Sequence, residues 1–383
     1  MRRRDVPFFR PAIGDGEIAA VVECLRSGWL TTGPRVHAFE AAFAGAIGGG
    51  VSAVAVTSAT AALHLGLEAM GIGPGDEVVV PTLTFTATAE VVRYVGARPV
   101  FVDIDPETLG VGPAQIAPAL TERTRAIMPV HFGGRSCDMT ALRALADRTG
   151  LRILGDAAHA FPAGHRGRPI GRCGADATAF SFYANKTMTT GEGGMLVTAD
   201  PAIATRARTM RLHGIDRDVF DRFHRPQGGW GYDVVAPGFK YNMTDIAAAL
   251  GLVQLERAAA FLADRARLAR LYDEALRDLP VALPPGPSPG DDHAWHLYVI
   301  RLTDDARMSR DAFMEAMRAR GVACSMHYRP LHQMTVWQPF CAGRHFPHAD
   351  DYAARGVSLP LFMGMTDDEQ AYVVDVVRDV LTR

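Results

Sequence analysis

The stretch Val51–Gly71, VSAVAVTSATAALHLGLEAMG, joins a strand pattern directly to a helix pattern. Its first eight residues form a short apolar run that is typical of a buried strand. From Ala59 onward the apolar residues have helical spacing, and Gly71 closes the helix pattern. A strand that passes at once into a helix predicts a β-α-β unit, the building block of α/β proteins.

The same alternation continues to about residue 200. Strand patterns lie at 76–81, 98–105, 124–132, 151–156, 177–183 and 193–199, and helix patterns lie at 86–96, 112–122 and 139–150. Repeated β-α-β units predict an α/β fold with a mostly parallel central sheet and helices on both faces. The near-continuous Val, Ile and Leu runs suit strands that are buried on both sides.

The pattern changes after Asp200. A polar, basic and Gly/Pro-rich stretch follows, and a strong helix pattern begins at Thr244. The remaining sequence mixes strand and helix patterns on a smaller scale. We therefore predict a large domain over residues 1–250 and a smaller C-terminal α+β domain over residues 251–383.

Composition is that of an ordinary globular chain. The 383 residues are 48% apolar and 21% charged, and the formal net charge is −2, which gives no reason to expect nucleic acid or a membrane as partner. The basic N-terminus is not followed by a signal-type apolar region. Five scattered cysteines without a CxxC pair fit a reducing, cytoplasmic location and argue against a zinc site, and we predict no metal.

Loops at the carboxyl ends of the predicted strands are the places to look for a ligand site. After the first strand, Thr60 and Ala61 open a helix whose N-terminus is a natural seat for a phosphate; the alternative is a plain helix cap by Ser58 or Thr60. After the second strand, Phe85 stands among threonines. It either stacks on a planar ring or packs into the core.

Two later strand ends carry charged side chains. Asp156 directly follows an apolar strand, where a carboxylate is costly unless it is paired, and His159 lies three residues on. The alternative for this pair is a capping aspartate beside a core histidine. Lys186 stands in the stretch Ser181–Met195, SFYANKTMTTGEGGM, between apolar runs; it is either a nucleophilic amine or a surface lysine, and Ser181 offers a hydroxyl to a phosphate.

Each signal is weak alone, but together they describe one ligand. A phosphate on a helix N-terminus, a stacked aromatic ring, a carboxylate against a pyridine nitrogen and a lysine for a Schiff base are the requirements of pyridoxal 5'-phosphate, PLP. The sequence therefore predicts PLP as cofactor.

The chain resembles the DegT/StrS sugar aminotransferases, a branch of the fold-type I PLP enzymes, nearly from end to end. The resemblance rests on motifs in family order: TSATAALHLGL at 57–67, DAAHA at 156–160, FSFYANKTMTTGEGGM at 180–195, GFKYNMTDIAAALGLVQLE at 238–256 and AWHLYVI at 294–300. It implies a homodimer with a shared active site.

The resemblance also implies a role for each residue of the cofactor site. Lys186 forms the Schiff base and moves the proton, Asp156 pairs with the pyridinium nitrogen, and His159 contacts the side of the ring that carries the hydroxyl. Phe85 stacks on the ring.

The phosphate is implied to be held by Thr60, Ala61 and Ser181. The family usually adds an Asn of the neighbouring subunit; here Lys240, in the KYN stretch at 240–242, occupies that place. Lys240 is therefore the residue expected to complete the phosphate site of a partner copy.

The resemblance is closest to enzymes that aminate C4 of nucleotide-linked 4-ketosugars, particularly of the UDP-4-amino-4-deoxy-L-arabinose type. It implies L-glutamate as amino donor, a nucleotide-diphospho-ketosugar as acceptor, and a ping-pong mechanism through pyridoxamine phosphate. The alternatives are an aminotransferase for a 3-ketosugar or a cyclitol ketone, and a non-catalytic PLP-binding regulator on the same scaffold.

Residues expected at the substrate come from three segments. Trp29 and Thr31 lie in the N-terminal loop, and His327 and Tyr328 lie in the small domain. A basic segment is expected either to meet the diphosphate or to be a solvated surface; its members are Arg211, His213, Arg217, Arg222 and Arg225.

Overall fold

The computed structural model describes residues 4–216 and 231–382. Its helices are α1 Asp15–Ser27, α2 Pro34–Ala46, α3 Ala59–Ala69, α4 Ala87–Tyr94, α5 Pro113–Ile116, α6 Met139–Thr149, α7 Pro201–Met210, α8 Asp245–Glu256, α9 Ala258–Leu276, α10 Arg310–Ala319, α11 Pro347–Arg355 and α12 Asp367–Thr382. Its strands are β1 Ser52–Val56, β2 Glu77–Pro81, β3 Arg98–Val102, β4 Thr124–Ile127, β5 Arg152–Asp156, β6 Gly164–His165, β7 Arg168–Pro169, β8 Ala177–Ser181, β9 Gly194–Thr198, β10 Val281–Ala282, β11 Tyr298–Leu302 and β12 Gly356–Leu359.

Seven strands of the described chain form the central sheet, in the order β1-β9-β8-β5-β4-β2-β3. Neighbouring strands are parallel, except that β9 runs antiparallel to both β1 and β8. The predicted α/β fold with a mostly parallel sheet is confirmed. Because six of the seven strands share one direction, their carboxyl ends meet at one edge of the sheet.

Both faces of the sheet are covered, as predicted. Along β1, Ala53 and Ala55 belong to a buried cluster with Phe39 of α2, whereas Val54 belongs to a second cluster with Leu63 of α3. Successive side chains of a strand point to opposite faces, so the two clusters are the two hydrophobic layers on either side of one sheet.

The smaller C-terminal unit is built around the antiparallel sheet β10-β11-β12 and has its own buried cluster. The cluster includes Leu268 of α9, Tyr298 of β11 and Phe313 of α10. A small C-terminal α+β unit is therefore present, while its extent as a separate domain over residues 251–383 stays a prediction. We propose that the division between the domains lies at the 60° bend between α8 and α9, close to the predicted residue 250.

Among the described residues, no single helix combines the length and apolarity needed to cross a membrane. Only α8 and α9 taken together meet that criterion of length and composition, and they form a bent pair.

Gly194 allows β9 to approach the start of α3 closely. It pairs with Val56 of β1 on one side and with Ser181 of β8 on the other. A Cβ at this position would lie 2.4 Å from the carbonyl carbon of Ser58 and 2.6 Å from the backbone N of Ala59. The absence of a side chain at Gly194 therefore allows α3 to begin this close to β9.

We predict that Gly194→Ala lowers the free energy of unfolding by about 1–3 kcal/mol, because the backbone at Ser58 has to shift to admit a methyl group. Urea denaturation of the apoprotein measures the change. Gly45→Ala is the matched control: Gly45 is in α2 with open space around its Cβ position, so alanine there should be neutral or stabilising by up to about 1 kcal/mol. Equal losses in both variants would contradict the close approach.

Candidate active site

A cavity of about 360 Å³ lies at the edge where the strands end. It is lined by residues from the ends of β1, β2, β5 and β8 and from one segment of the small domain. Eight residues that the sequence singled out line it together: Thr60, Phe85, Asp156, His159, Ser181, Lys186, His327 and Tyr328.

Asp156 ends β5 and is 5% exposed. Its Oδ2 accepts a hydrogen bond from Thr88 Oγ1 at 2.8 Å, and its Oδ1 accepts one from the backbone N–H of Ala158 at 3.1 Å. Burial raises the pKa of the Asp156 carboxyl, while these two donors and the charge of Lys186 work in the opposite direction. The carboxylate is thus fixed in orientation at the wall of the cavity.

Lys186 lies in the turn between β8 and β9, where its backbone N–H donates to the carbonyl of Tyr183 at 2.9 Å. Removal of its ammonium from solvent lowers the pKa of Lys186 to about 8; Asp156 acts to raise it and the buried Arg265 acts to lower it. An amine with this pKa is partly neutral near neutral pH, which is the state that attacks a carbonyl.

His159 forms a hydrogen-bonded bridge between the two domains. The backbone N–H of Gly133 donates to His159 Nδ1 at 3.3 Å, and His159 Nε2 lies 2.9 Å from the hydroxyl of Tyr328. Burial, Lys186 and His327 hold the pKa of His159 well below its usual value. Since Nδ1 accepts, the neutral ring carries its proton on Nε2 and donates it to Tyr328.

Phe85 is 56% exposed and lines the cavity, with its ring centroid 5.8 Å from that of Tyr328. The alternative that Phe85 packs into the core is therefore wrong. Its ring offers an aromatic surface to a planar ligand in the cavity.

The start of α3 is capped by Ser58, whose Oγ accepts from the backbone N–H of Ala61 at 3.1 Å. The capping alternative is correct, and yet Ser58, Ala59 and Thr60 still line the cavity opposite Ser181. Ala61 already donates its N–H to the cap. The phosphate roles of Thr60, Ala61 and Ser181 stay predictions.

Three predicted residues lie away from the cavity lined by the described part of this chain. Trp29 donates from Nε1 to the carbonyl of Thr32 at 3.1 Å, and Thr31 is exposed beside it. The exposed Lys240 donates from Nζ to Asn242 Oδ1 at 2.7 Å, and Asn242 Nδ2 donates to Thr32 Oγ1 at 2.7 Å. Trp29, Thr31 and Lys240 thus belong to one connected patch.

The basic segment needs a correction. Arg211 is 3% exposed; its guanidinium is paired with Glu40 and donates to the carbonyl of Ala55 at 2.9 Å, so it is a core residue and does not face a diphosphate. His213 is exposed. Arg217, Arg222 and Arg225 lie outside the described residues.

Four residues of the site were missed by the sequence reasoning. Thr88 was detectable as a hydroxyl one helical turn after Phe85, at the same strand end. Asn185 directly precedes Lys186, Glu192 follows it by six residues, and both line the cavity. His296 lies in the segment before β11, and its Nε2 is 3.4 Å from Lys186 Nζ. No local sequence pattern predicts this contact.

These features fit PLP on the geometry alone. The cavity combines a fixed carboxylate for a pyridinium nitrogen, an exposed aromatic face, a helix N-terminus with a nearby serine, and an amine of lowered pKa. Each of these matches a different part of the cofactor.

Comparisons with known proteins point the same way. The model of the DegT/DnrJ/EryC1/StrS aminotransferase family matches residues 11–378. The spore coat polysaccharide biosynthesis protein SpsC of Bacillus subtilis (strain 168) is 44% identical over 384 residues, which cover 99% of this chain and 98% of that protein.

Two solved relatives share the fold over their whole length. The putative sugar aminotransferase Spr1654 of Streptococcus pneumoniae in its PLP form is 33% identical, with a TM-score of 0.90 over 99% of this chain and 100% of that chain. The sugar aminotransferase CalS13 of Micromonospora echinospora is 31% identical, with a TM-score of 0.87 over 98% and 99% of the two chains.

We predict that Thr88→Val lowers the free energy of unfolding by about 1–3 kcal/mol at pH 7, because the buried Asp156 carboxylate loses a donor. The loss should shrink as the pH falls through the folded pKa of Asp156, since a protonated carboxyl depends less on that donor. Denaturation in urea at several pH values measures it. Thr88→Ser keeps the hydroxyl and should retain most of the stability; a serine variant as unstable as the valine variant would count against the Asp156 contact.

Proposed function

Because this chain belongs to the DegT/DnrJ/EryC1/StrS family of PLP-dependent sugar aminotransferases, we propose that it transfers an amino group from L-glutamate to the 4-keto carbon of a nucleotide-linked ketosugar. The observation that carries the proposal is the meeting of Lys186, Asp156 and Phe85 in one cavity. A scaffold that only binds PLP would not need an amine of lowered pKa beside a fixed carboxylate. The C4 position rests on the motif resemblance.

In this proposal Asp156 holds the ring nitrogen of PLP. When bound, PLP supplies a ring that stabilises negative charge at the carbon from which a proton is removed. That property depends on a protonated ring nitrogen, and Thr88 and the N–H of Ala158 keep the carboxylate turned toward the cavity. Phe85 and Tyr328 cover the ring, and the start of α3 with Ser181 holds the phosphate.

Lys186 moves the proton. Its Nζ would take the proton from the α-carbon of the amino donor and return it at a second carbon. This requires an amine that changes its protonation state near the working pH. Its pKa of about 8 meets that requirement. His159 and Tyr328 contribute by holding the small domain against the cavity and excluding water from Lys186.

The two substrates react in turn, in two half-reactions. L-Glutamate would give up its amino group and depart as 2-oxoglutarate, and the bound cofactor would supply the store that holds the group until the ketosugar receives it. Support comes from Spr1654, which has been solved both in a PLP form and in a PMP form. A reaction that alternates between two cofactor forms has ping-pong kinetics.

A homodimer with shared active sites is the second part of the proposal. Trp29, Thr31 and Lys240 lie together outside the cavity of their own chain, as residues serving a partner's cavity would. Lys240 is one of only two lysines in the chain, which otherwise uses arginine, so a lysine here has a specific purpose. Ile18 and Leu25 of α1 are 54% and 51% exposed and supply apolar surface for the contact.

We also propose that the protein works in the cytoplasm. All five cysteines are free thiols, three of them buried. That usage suits a reducing compartment.

We predict that the PLP-loaded protein loses its visible absorbance band on addition of L-glutamate and recovers it on addition of a nucleotide-linked 4-ketosugar. Lys186→Ala should abolish both changes, because the amine that moves the proton is gone. Stopped-flow spectra with UDP-, dTDP- and GDP-4-ketosugars measure the second step. No response to glutamate would exclude the proposed donor. Recovery of the band only with a 3-ketosugar or a cyclitol ketone would contradict the proposed 4-keto acceptor.

We predict that hybrids of Lys186→Ala and Lys240→Ala chains are active although each homodimer is impaired. If Lys240 acts across the interface, each mixed dimer contains one intact site of its two, and the isolated mixed dimers should have about half of the wild-type rate. Co-expression with two affinity tags isolates the mixed dimers. No recovery would mean that Lys240 acts within its own chain. Full activity of the Lys240→Ala homodimer would show that Lys240 has no role in the active site.

A further inference from the structure

His296 contacts the amine of Lys186 from the small domain. The two residues are 110 positions apart, and the distance from Lys186 Nζ to His296 Nε2 is 3.4 Å. His296 is 5% exposed, and its ring centroid lies 4.4 Å from that of His159. The reacting amine of the large domain thus has its side-chain hydrogen-bond partner in the other domain.

His296 is a neutral acceptor for this amine. Burial lowers its pKa well below the usual value, and the charges of Lys186 and Arg265 add to the effect. When Lys186 is an ammonium, His296 Nε2 must accept, and the ring proton then lies on Nδ1. That Nδ1 is buried and has no hydrogen-bond partner among the described residues.

An unpartnered buried N–H costs free energy, so the residue needs a compensating role. His159 shows the contrast, since both of its ring nitrogens are hydrogen-bonded to protein groups. For His296, the polar contact of the ring in the described structure is Lys186. In this arrangement the amine of Lys186 has a hydrogen-bond partner, while Nδ1 of the His296 imidazole has none among the described residues.

Arg265 of α9 fixes the backbone that carries His296. It is 3% exposed, and its Nη1 donates to the carbonyls of Trp295 at 3.0 Å, Leu361 at 3.1 Å and His296 at 3.4 Å. Trp295 adopts a left-handed backbone with φ of 48°, which turns the chain just before His296. Three carbonyls gathered on one guanidinium hold this turn in place.

We infer that His296 is a positioning residue, which accepts a hydrogen bond from Lys186 Nζ and keeps the free amine away from Asp156. The inference rests on the proposed function, in which Lys186 is the reacting amine. Asp156 is the other group that attracts the ammonium, and its carboxylate is needed at the ring nitrogen of PLP. A second, neutral partner lets Lys186 be released from the cofactor without capturing that carboxylate.

The test measures Lys186 directly in the apoprotein. Acetic anhydride labels neutral amines, and mass spectrometry of the labelled peptides reports the pH dependence for Lys186, with the N-terminal amine as the internal reference. His296→Leu should lower the pKa of Lys186 by about one to two units, because the ammonium loses an acceptor. His296→Gln places an amide oxygen near the position of Nε2 and should restore the pKa to within about half a unit.

A structural role alone would not give this pattern. His348→Leu, the same change at an exposed histidine away from the cavity, should leave the pKa of Lys186 unchanged. An unchanged pKa in His296→Leu, or equal falls in the Leu and Gln variants, would overturn the inference. Because the labelling uses apoprotein, it stays informative even if wild-type protein fails to react with glutamate, which would instead overturn the proposed function.

Discussion

The burial of Asp156 at the end of β5 is the constraint on which the rest of the site depends. A carboxylate in that position is costly unless donors and a cation surround it. Three neighbours offset the cost of burying this charge. Thr88 Oγ1 and the N–H of Ala158 donate hydrogen bonds to the two oxygens, and Lys186 contributes a positive charge. The parallel sheet makes this possible, because it delivers the ends of β2, β5 and β8 to a single edge.

The site is completed by the small domain. Tyr328 and His327 line the cavity, and His296 reaches Lys186, so both domains must be in place before the amine has its partners. The hydrogen bond from His159 to Tyr328 joins the two halves at the cavity wall. The buried Arg265 adds a further link, since it joins α9 by hydrogen bonds to the backbone carbonyls of Trp295 and Leu361.

The sequence was sufficient for the parts of this arrangement that lie at strand ends. Strand-to-helix junctions predicted the α/β fold. Asp156, Phe85 and Lys186 each follow an apolar run closely enough to be identified as candidate site residues. Long-range contacts were not predictable in the same way. His296 meets Lys186 only through tertiary packing, and Arg211, which is basic in the sequence and so read as surface or ligand contact, is buried against Glu40. A charged residue whose partner is distant in sequence carries no local signal of its burial.

The electrostatics of the cavity assign the mobile proton to one group. His159, His296 and His327 line or adjoin Lys186, and burial together with its charge lowers the pKa of each, to about 4 for His327. Burial raises the pKa of Tyr328, which therefore stays protonated. Among Lys186, these three histidines and Tyr328, the amine of Lys186, with a pKa of about 8, is the group closest to a change of charge near neutral pH. The three histidines and Tyr328 therefore keep one protonation state near neutral pH, so their hydrogen bonds stay fixed while Nζ gains and loses its proton.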